Sequence, residues 1–299
     1  MNRPAPRRLD DIAIAVAPAG FVLLWSTGFI GAKFGLPYVE PLTFLSLRFG
    51  LVFPMLGLFA LAVRAEWPRG AAIGHNIVSG VLLHGLYLSG VFIAIHEGMP
   101  AGIAALLVGL QPILTSTLAS RWLGEAVRPL QWAGLVLGLI GVYFVVEGRF
   151  GDGASSGLAW VTITVALIGV TVGTLYQKRH GGGDLRGALP VQYAAALVFC
   201  GVGALVFETR AVQWTGEFIF ALGWLSLVLS WGAIYLFYWL IRRTTATRLV
   251  SLFYLVPPVT ALMSYFLFGE RLEALALAGM AACGAGVFLV NWNPTPARG

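Results

Sequence analysis

The side chains able to do chemistry are few, and they sit inside long apolar stretches. His84 and Tyr87 are three positions apart in one such stretch, so on a helix they share a face. An ionisable group that deep in an apolar run marks a functional site by default. A neutral histidine bonded to a neighbouring helix is the alternative. Gln111 precedes Pro112 in the next stretch, and a proline within a helix donates no amide hydrogen and crowds the carbonyl four residues back. The carbonyls so released, with the Gln111 amide, can hold a polar solute. Pro257-Pro258, after Tyr254, repeats the interruption. Trp25, Trp231, Tyr235 and Tyr254 lie deep in their stretches, where rings can sandwich flat or apolar groups or cradle an ammonium. Ser26, Gln111, His84 and Tyr87 supply partners for hydroxyl, amide or carboxylate groups.

This is the chemistry of binding rather than of bond making. No Gly-Lys pair, His-Glu-x-x-His or paired Cys-x-x-Cys occurs, so neither a phosphate-binding loop nor a recognisable metal site is expected, and no cofactor. Cys200 and Cys283 lie in apolar runs and serve as small hydrophobes. A membrane enzyme would need clustered acids, bases or nucleophiles near one face, and only Glu147 with Asp152 and His180 with Asp184 offer that. No Asp or Glu falls near the centre of any apolar run, so the carboxylate relay of a proton pump is absent. His84 is the one obvious central proton carrier, and movement of a solute down its own gradient needs none.

The elements that must position these residues follow from composition. Of 299 residues, 58% are hydrophobic and 11% charged, against about 45–50% and about 25% in soluble domains. Too few charges remain to cover a water-soluble core. Apolar runs fall near 13–33, 42–63, 73–95, 100–120, 130–146, 157–177, 189–207, 218–241, 249–268 and 272–291. A bilayer core about 30 Å thick takes about 20 helical residues, so the sequence predicts an all-α integral membrane protein of ten transmembrane helices. The break between the third and fourth runs rests on His96, Glu97, Gly98 and Pro100. Arg7 and Arg8 precede the first run as in a signal peptide, but the run is long enough to span. The net charge of +6 is dispersed between runs and reads as a topology signal, not a nucleic-acid surface. With the amino terminus inside, 14 of the 19 positive residues are cytoplasmic and only Lys33, Arg149, Arg210 and Arg271 external.

A shift of 145 residues lays Pro112 on Pro257, Thr115 on Thr260, Gly124-Glu125 on Gly269-Glu270, Gly134 on Gly279 and Gly141-Val142 on Gly286-Val287. Eleven of the 37 positions from 110 to 146 match. The same shift sets Gly28 on Gly173 and Lys33 on Lys178, the only two lysines. The organisation is therefore a tail (1–12), a five-helix unit (13–146), a connecting loop (147–156), a second five-helix unit (157–291) and a tail (292–299). Five is odd, so the second unit enters the membrane from the opposite side. Such inverted repeats, with paired helix breaks, are the architecture of secondary transporters, whose substrate binds near the midplane. An ion channel would want charged or carbonyl rings lining a pore.

Three charged sets have more than one reading. Lys33 and Lys178 either meet carboxyl-terminal helix dipoles or act as gating charges. Glu125 and Glu270 cap the fifth and tenth helices or take part in coupling. Arg48 pairs with Glu40, reaches the interface, or clamps a substrate carboxylate. Small faces at Gly134, Gly138 and Gly141 and at Gly279, Cys283 and Gly286 let helices approach closely, within one chain or between two; a monomer and a homodimer both fit.

Trp25-Ser26-Thr27-Gly28-Phe29 closing on Lys33, then Pro41 with Leu47-Arg48-Phe49, and Gly-Glu after the fourth and ninth runs, resemble the EamA-type transporters of the drug/metabolite transporter superfamily. The resemblance spans the whole chain and looks closest to the aromatic and neutral amino-acid exporters. It implies a secondary carrier exporting amino acids or related metabolites across a bacterial inner membrane by alternating access. It also implies a cavity built from the first, third, fourth, sixth, eighth and ninth helices. Uncoupled export is expected; export of drugs, quaternary cations or other metabolites by proton antiport is the alternative. The charge count places both termini in the cytoplasm. Green fluorescent protein fused to either end should therefore fluoresce, and a periplasmic report at one end would contradict the ten-span arrangement.

Overall fold

The computed structural model describes residues 8–99, 104, 107–147, 156–268 and 274–292. Ten helical segments are labelled along them: α1 Arg8–Gly35, α2 Pro41–Ala62, α3 Ala71–His96, α4 Gln111–Trp122, α5 Pro129–Val146, α6 Gly157–His180, α7 Leu185–Phe207, α8 Gly216–Ile241, α9 246–268 and α10 Ala274–Asn291. Eight of the described helices are long and apolar enough to cross a membrane. Two segments fall short: the helical part of α4 covers 12 residues, and α5 is a shorter apolar helix. No described residue belongs to a named strand; one isolated bridge joins Val39 and Val212.

Local chemistry sets the helix ends. Pro41 and Pro129 stand in the first turns of α2 and α5, where the missing amide hydrogen costs nothing. Ser156, Thr215 and Thr245 cap α6, α8 and α9 by accepting backbone hydrogens through their hydroxyls. The outer surface is apolar, with Leu58, Leu205, Phe207 and Phe266 largely exposed, a surface suited to lipid. The interior is filled by large rings, among them Phe21, Phe44, Phe49, Tyr193 and Tyr238.

Glycines decide which helices touch. A Cβ at Gly134 would lie 2.6 Å from the Gly286 carbonyl oxygen, and one at Gly286 would lie 2.6 Å from that of Gly134. Gly141 and Gly279 oppose each other in the same way at 2.7 Å. Helices α5 and α10 therefore run antiparallel, backbone on backbone. Gly80 meets the backbone of Gln192, and Gly90 that of Thr162, which seats α3 against α7 and α6. Gly28 and Gly31 seat α1 on Leu229 and Leu225 of α8.

Helices α2 and α7 form a second antiparallel pair, tied at both ends. At one end the Glu208 carboxylate accepts from the Leu42 and Thr43 amides at 2.7 and 2.6 Å. Glu40 accepts from the Thr209 amide and hydroxyl at 2.8 and 2.6 Å, and the Thr209 hydroxyl leads in holding the Glu40 carboxyl below the usual range. At the other end Asp184 accepts from the Glu66 amide at 3.2 Å and from the Arg186 amide at 3.0 Å. The Arg186 side chain leads in pushing the Asp184 carboxyl down to about 2.

Overpacking a filled interface costs about 1–3 kcal/mol. Gly141→Leu should lower the melting temperature of the purified protein, whereas Gly201→Leu, with nothing within 4 Å of its Cβ, should not. Equal melting of the two variants would contradict the backbone contact at Gly141.

Candidate binding cavity

A cavity of about 60 Å³ opens between α1, α3 and α8, with Arg48 of α2 in its wall. Trp25 and Gly28 face it from α1, His84, Tyr87, Val91 and Phe92 from α3, and Leu225, Leu229 and Ile234 from α8. A smaller void of about 10 Å³ continues past Trp25 and His84 to Tyr238 and Phe253. There Phe21, Trp25, Phe237 and Phe253 close the path, with ring centroids 5.1 to 6.3 Å apart. A dry cavity of about 150 Å³ admits benzene, so a metabolite with an apolar side chain enters only if these helices part.

Two of the lining helices depart from α geometry. Val81–Leu86 in α3 and Trp224–Ala233 in α8 are π-helical, a rare form concentrated at functional sites. His84 lies in the first. Its Nε2 is 3.3 Å from the Tyr238 hydroxyl, which donates to Gln192 Oε1 at 2.5 Å. The hydroxyl has one hydrogen to give, so Nε2 must carry the hydrogen that joins it to Tyr238; in a neutral ring Nδ1 is then the acceptor. Gln192 Nε2 donates in turn to Asn76 Oδ1 at 2.8 Å and to Gln177 Oε1 at 3.3 Å. This chain ties α3, α8, α7 and α6 together through neutral groups. In the second π segment the Ser230 hydroxyl donates to the Leu225 carbonyl, five residues back, at 3.1 Å. It accepts from Arg48 Nη2 at 3.3 Å.

The residues expected from sequence divide. Trp25, His84 and Tyr87 meet at the cavity. Ser26 and Gln111 are fully buried elsewhere. The Ser26 hydroxyl donates to the Val22 carbonyl at 2.7 Å, with the Val256 carbonyl of α9 at 3.4 Å. Gln111 Nε2 donates to Thr174 Oγ1 of α6 at 3.3 Å. Trp231 packs on Phe59 with centroids 5.2 Å apart, Tyr235 is 43% exposed, and the Tyr254 ring presses on Gly138 of α5. None of these five lines the cavity. A turn at 109–110 precedes Pro112, and a 3₁₀ turn, Leu252–Leu255, precedes Pro257-Pro258.

Two expectations about charged residues need correction. Glu125 does not cap α5; its carboxylate accepts from the Ala246 amide at 2.9 Å, at the start of α9. Arg48 does not pair with Glu40, whose carboxylate is taken by Thr209 and the Arg210 amide. Lys178 meets a carboxyl-terminal helix end, that of α8, donating to the Ile241 carbonyl at 2.6 Å and to that of Thr244. The Lys33 side chain and Glu270 lie outside the described residues. His180 stacks on His75 at 4.4 Å while Asp184 is held by Arg186, so the pair offers no joint catalytic site. Asn76, Gln177, Gln192 and Tyr238 were not expected. The signal for the three amides was present, since an amide within an apolar run must find a partner inside the protein.

A chain with eight apolar spanning helices among its described residues, helices broken at prolines and a buried cavity between them is a multi-pass membrane transporter and not an enzyme. It belongs to the EamA-like transporter family, which matches residues 13–147 and again 155–292. An uncharacterized transporter, YvbV, of Bacillus subtilis is 26% identical over 95% of this chain and 93% of its own length. A probable amino-acid metabolite efflux pump of Escherichia coli is 26% identical over 90% of this chain and 91% of its own. One solved crystal structure superposes with a TM-score of 0.78 at 19% identity, covering 92% of this chain and 95% of its own, which establishes likeness of fold.

Proposed function

We propose that the protein exports amino acids, aromatic or large neutral, and related small metabolites across a bacterial inner membrane. It does so by alternating access, without proton coupling, as a ten-span carrier of two inverted five-helix units. Both termini face the cytoplasm, so the Glu40 end of α2 is external and the Asp184 end of α7 internal.

The observation that carries this reading is the exchange of contacts under the 145-residue shift. Gly134 against Gly286 becomes Gly279 against Gly141. The tie of Glu40 to the Thr209 amide becomes that of Asp184 to the Glu66 amide, one and two residues from the shifted positions. Gly28 against Leu229 becomes Gly173 against Leu83, one residue from the shifted position. The π segment Val81–Leu86 falls within Trp224–Ala233. Antiparallel partners that exchange their contacts in this way support a two-fold axis in the membrane plane. The cavity lies between α1 and α3 of one unit and α8 of the other, where rocking of the units would open it to either side. The neutral partners of His84 support the uncoupled mechanism. The family and the efflux pump among the relatives support export of amino-acid metabolites.

Counterflow into liposomes holding the purified protein tests the proposal. Labelled leucine, phenylalanine or tryptophan should enter saturably and at a rate indifferent to an imposed pH gradient. His84→Ala with Tyr87→Phe should weaken uptake per folded molecule about tenfold, the equivalent of one hydrogen bond. Absence of counterflow for every amino acid would overturn the substrate assignment.

A further inference from the structure

Arg48 is 2% exposed and stands in the wall of the cavity. A guanidinium carries five N–H donors and is charged at every accessible pH. Here it makes one hydrogen bond, to the Ser230 hydroxyl at 3.3 Å, and its Nε is buried with no partner. The Phe49 ring centroid is 5.9 Å from its central carbon. No carboxylate among the described residues pairs with it. The acids at the near end of the α2–α7 pair are engaged at helix ends, Glu208 on the amides of Leu42 and Thr43 and Glu40 on Thr209.

A buried cation without a counter-charge is costly wherever it sits, and most of all in a membrane. The fold nevertheless holds this one in place. The π segment of α8 turns Ser230 toward the guanidinium while its hydroxyl is fixed on the Leu225 carbonyl. Apart from His84, Tyr87 and Trp25, the remaining wall is apolar. One fixed positive charge in an otherwise apolar, water-poor pocket is a receptor for an anion bearing an apolar body, since charge-assisted pairing with an oxyanion strengthens as water is excluded.

We infer that Arg48 is the anchor for the carboxylate of a transported solute, and that the cavity is built for apolar carboxylates rather than for cations. This rests on reading the cavity as the transport site. It narrows the substrate class: free amino acids and carboxylic acids with apolar side chains fit, while quaternary ammonium compounds and cationic drugs meet a like charge at the point of entry.

Isothermal titration of the full-length purified protein with matched pairs tests it: L-leucine against leucinamide, L-phenylalanine against phenylalaninamide, and 4-methylpentanoate against 4-methylpentanamide. At least one acid should bind, and its amide should bind at least about tenfold more weakly, as expected when a buried charge pair is broken. Arg48→Gln, monodisperse and folded, should bind acid and amide alike, and Arg48→Lys should keep part of the preference. Equal binding of acid and amide by the unaltered protein, no binding of any acid, or unchanged acid binding in Arg48→Gln would each overturn the inference. If Arg48→Gln does not fold, the acid–amide comparison and Arg48→Lys decide. Acid binding through Arg48 without counterflow would leave the inference standing and sink the transport reading. Counterflow of amino acids undiminished in Arg48→Gln would do the reverse.

Discussion

In a bilayer the hydrophobic effect does not drive helices together, because lipid tails are as apolar as leucine. What decides the partners is how closely two backbones can approach, and that depends on where the chain leaves out a side chain. Gly134, Gly141, Gly279 and Gly286 bring α5 and α10 into backbone contact, and Gly80 and Gly90 bind α3 to α7 and α6. Carboxylates at both ends of the α2–α7 pair secure a second seam. The cavity lies between α1, α3 and α8, away from the α5–α10 seam and touching the α2–α7 pair only through Arg48.

The polar groups beside the cavity follow from the same frame. Every buried donor and acceptor must be satisfied inside the protein, since lipid offers none. The path from His84 through Tyr238 and Gln192 to Asn76 and Gln177 meets much of that demand with neutral groups, leaving Gln177 Nε2 without a partner. Arg48 differs in kind, a charge with one hydrogen bond in an apolar wall. The contrast separates two roles: a neutral network that binds four helices together, and a charged group in the wall of the cavity.

Much of the frame was legible from sequence. Apolar runs of spanning length, the 145-residue repeat of glycines and the prolines at 112, 257 and 258 all correspond to features of the structure. The site was legible only in part. Trp25, His84 and Tyr87 converge, whereas Trp231, Tyr235 and Tyr254 turn to other surfaces. The reason is that a helix apolar on all sides carries no record of which face is inward. The π segments add to this: one extra residue per turn rotates everything beyond it by about 100° relative to an α-helix, and Trp231 and Tyr235 lie within and just after such a segment. Nothing in the local sequence of Trp224–Ala233 announces it. Glu125 was misassigned for a related reason, since its partner at Ala246 comes from a helix distant in sequence.

The central proposal is that one cavity, shared by two related halves, is reached from each side of the membrane in turn. Replacing Leu88 in its lining by cysteine tests this most directly, against the background of Cys200 and Cys283, both fully buried. A membrane-impermeant thiol reagent applied to right-side-out and to inside-out vesicles should label Leu88→Cys from both faces, with the balance shifted by a transported solute. Labelling from one face alone, with and without that solute, would contradict alternating access.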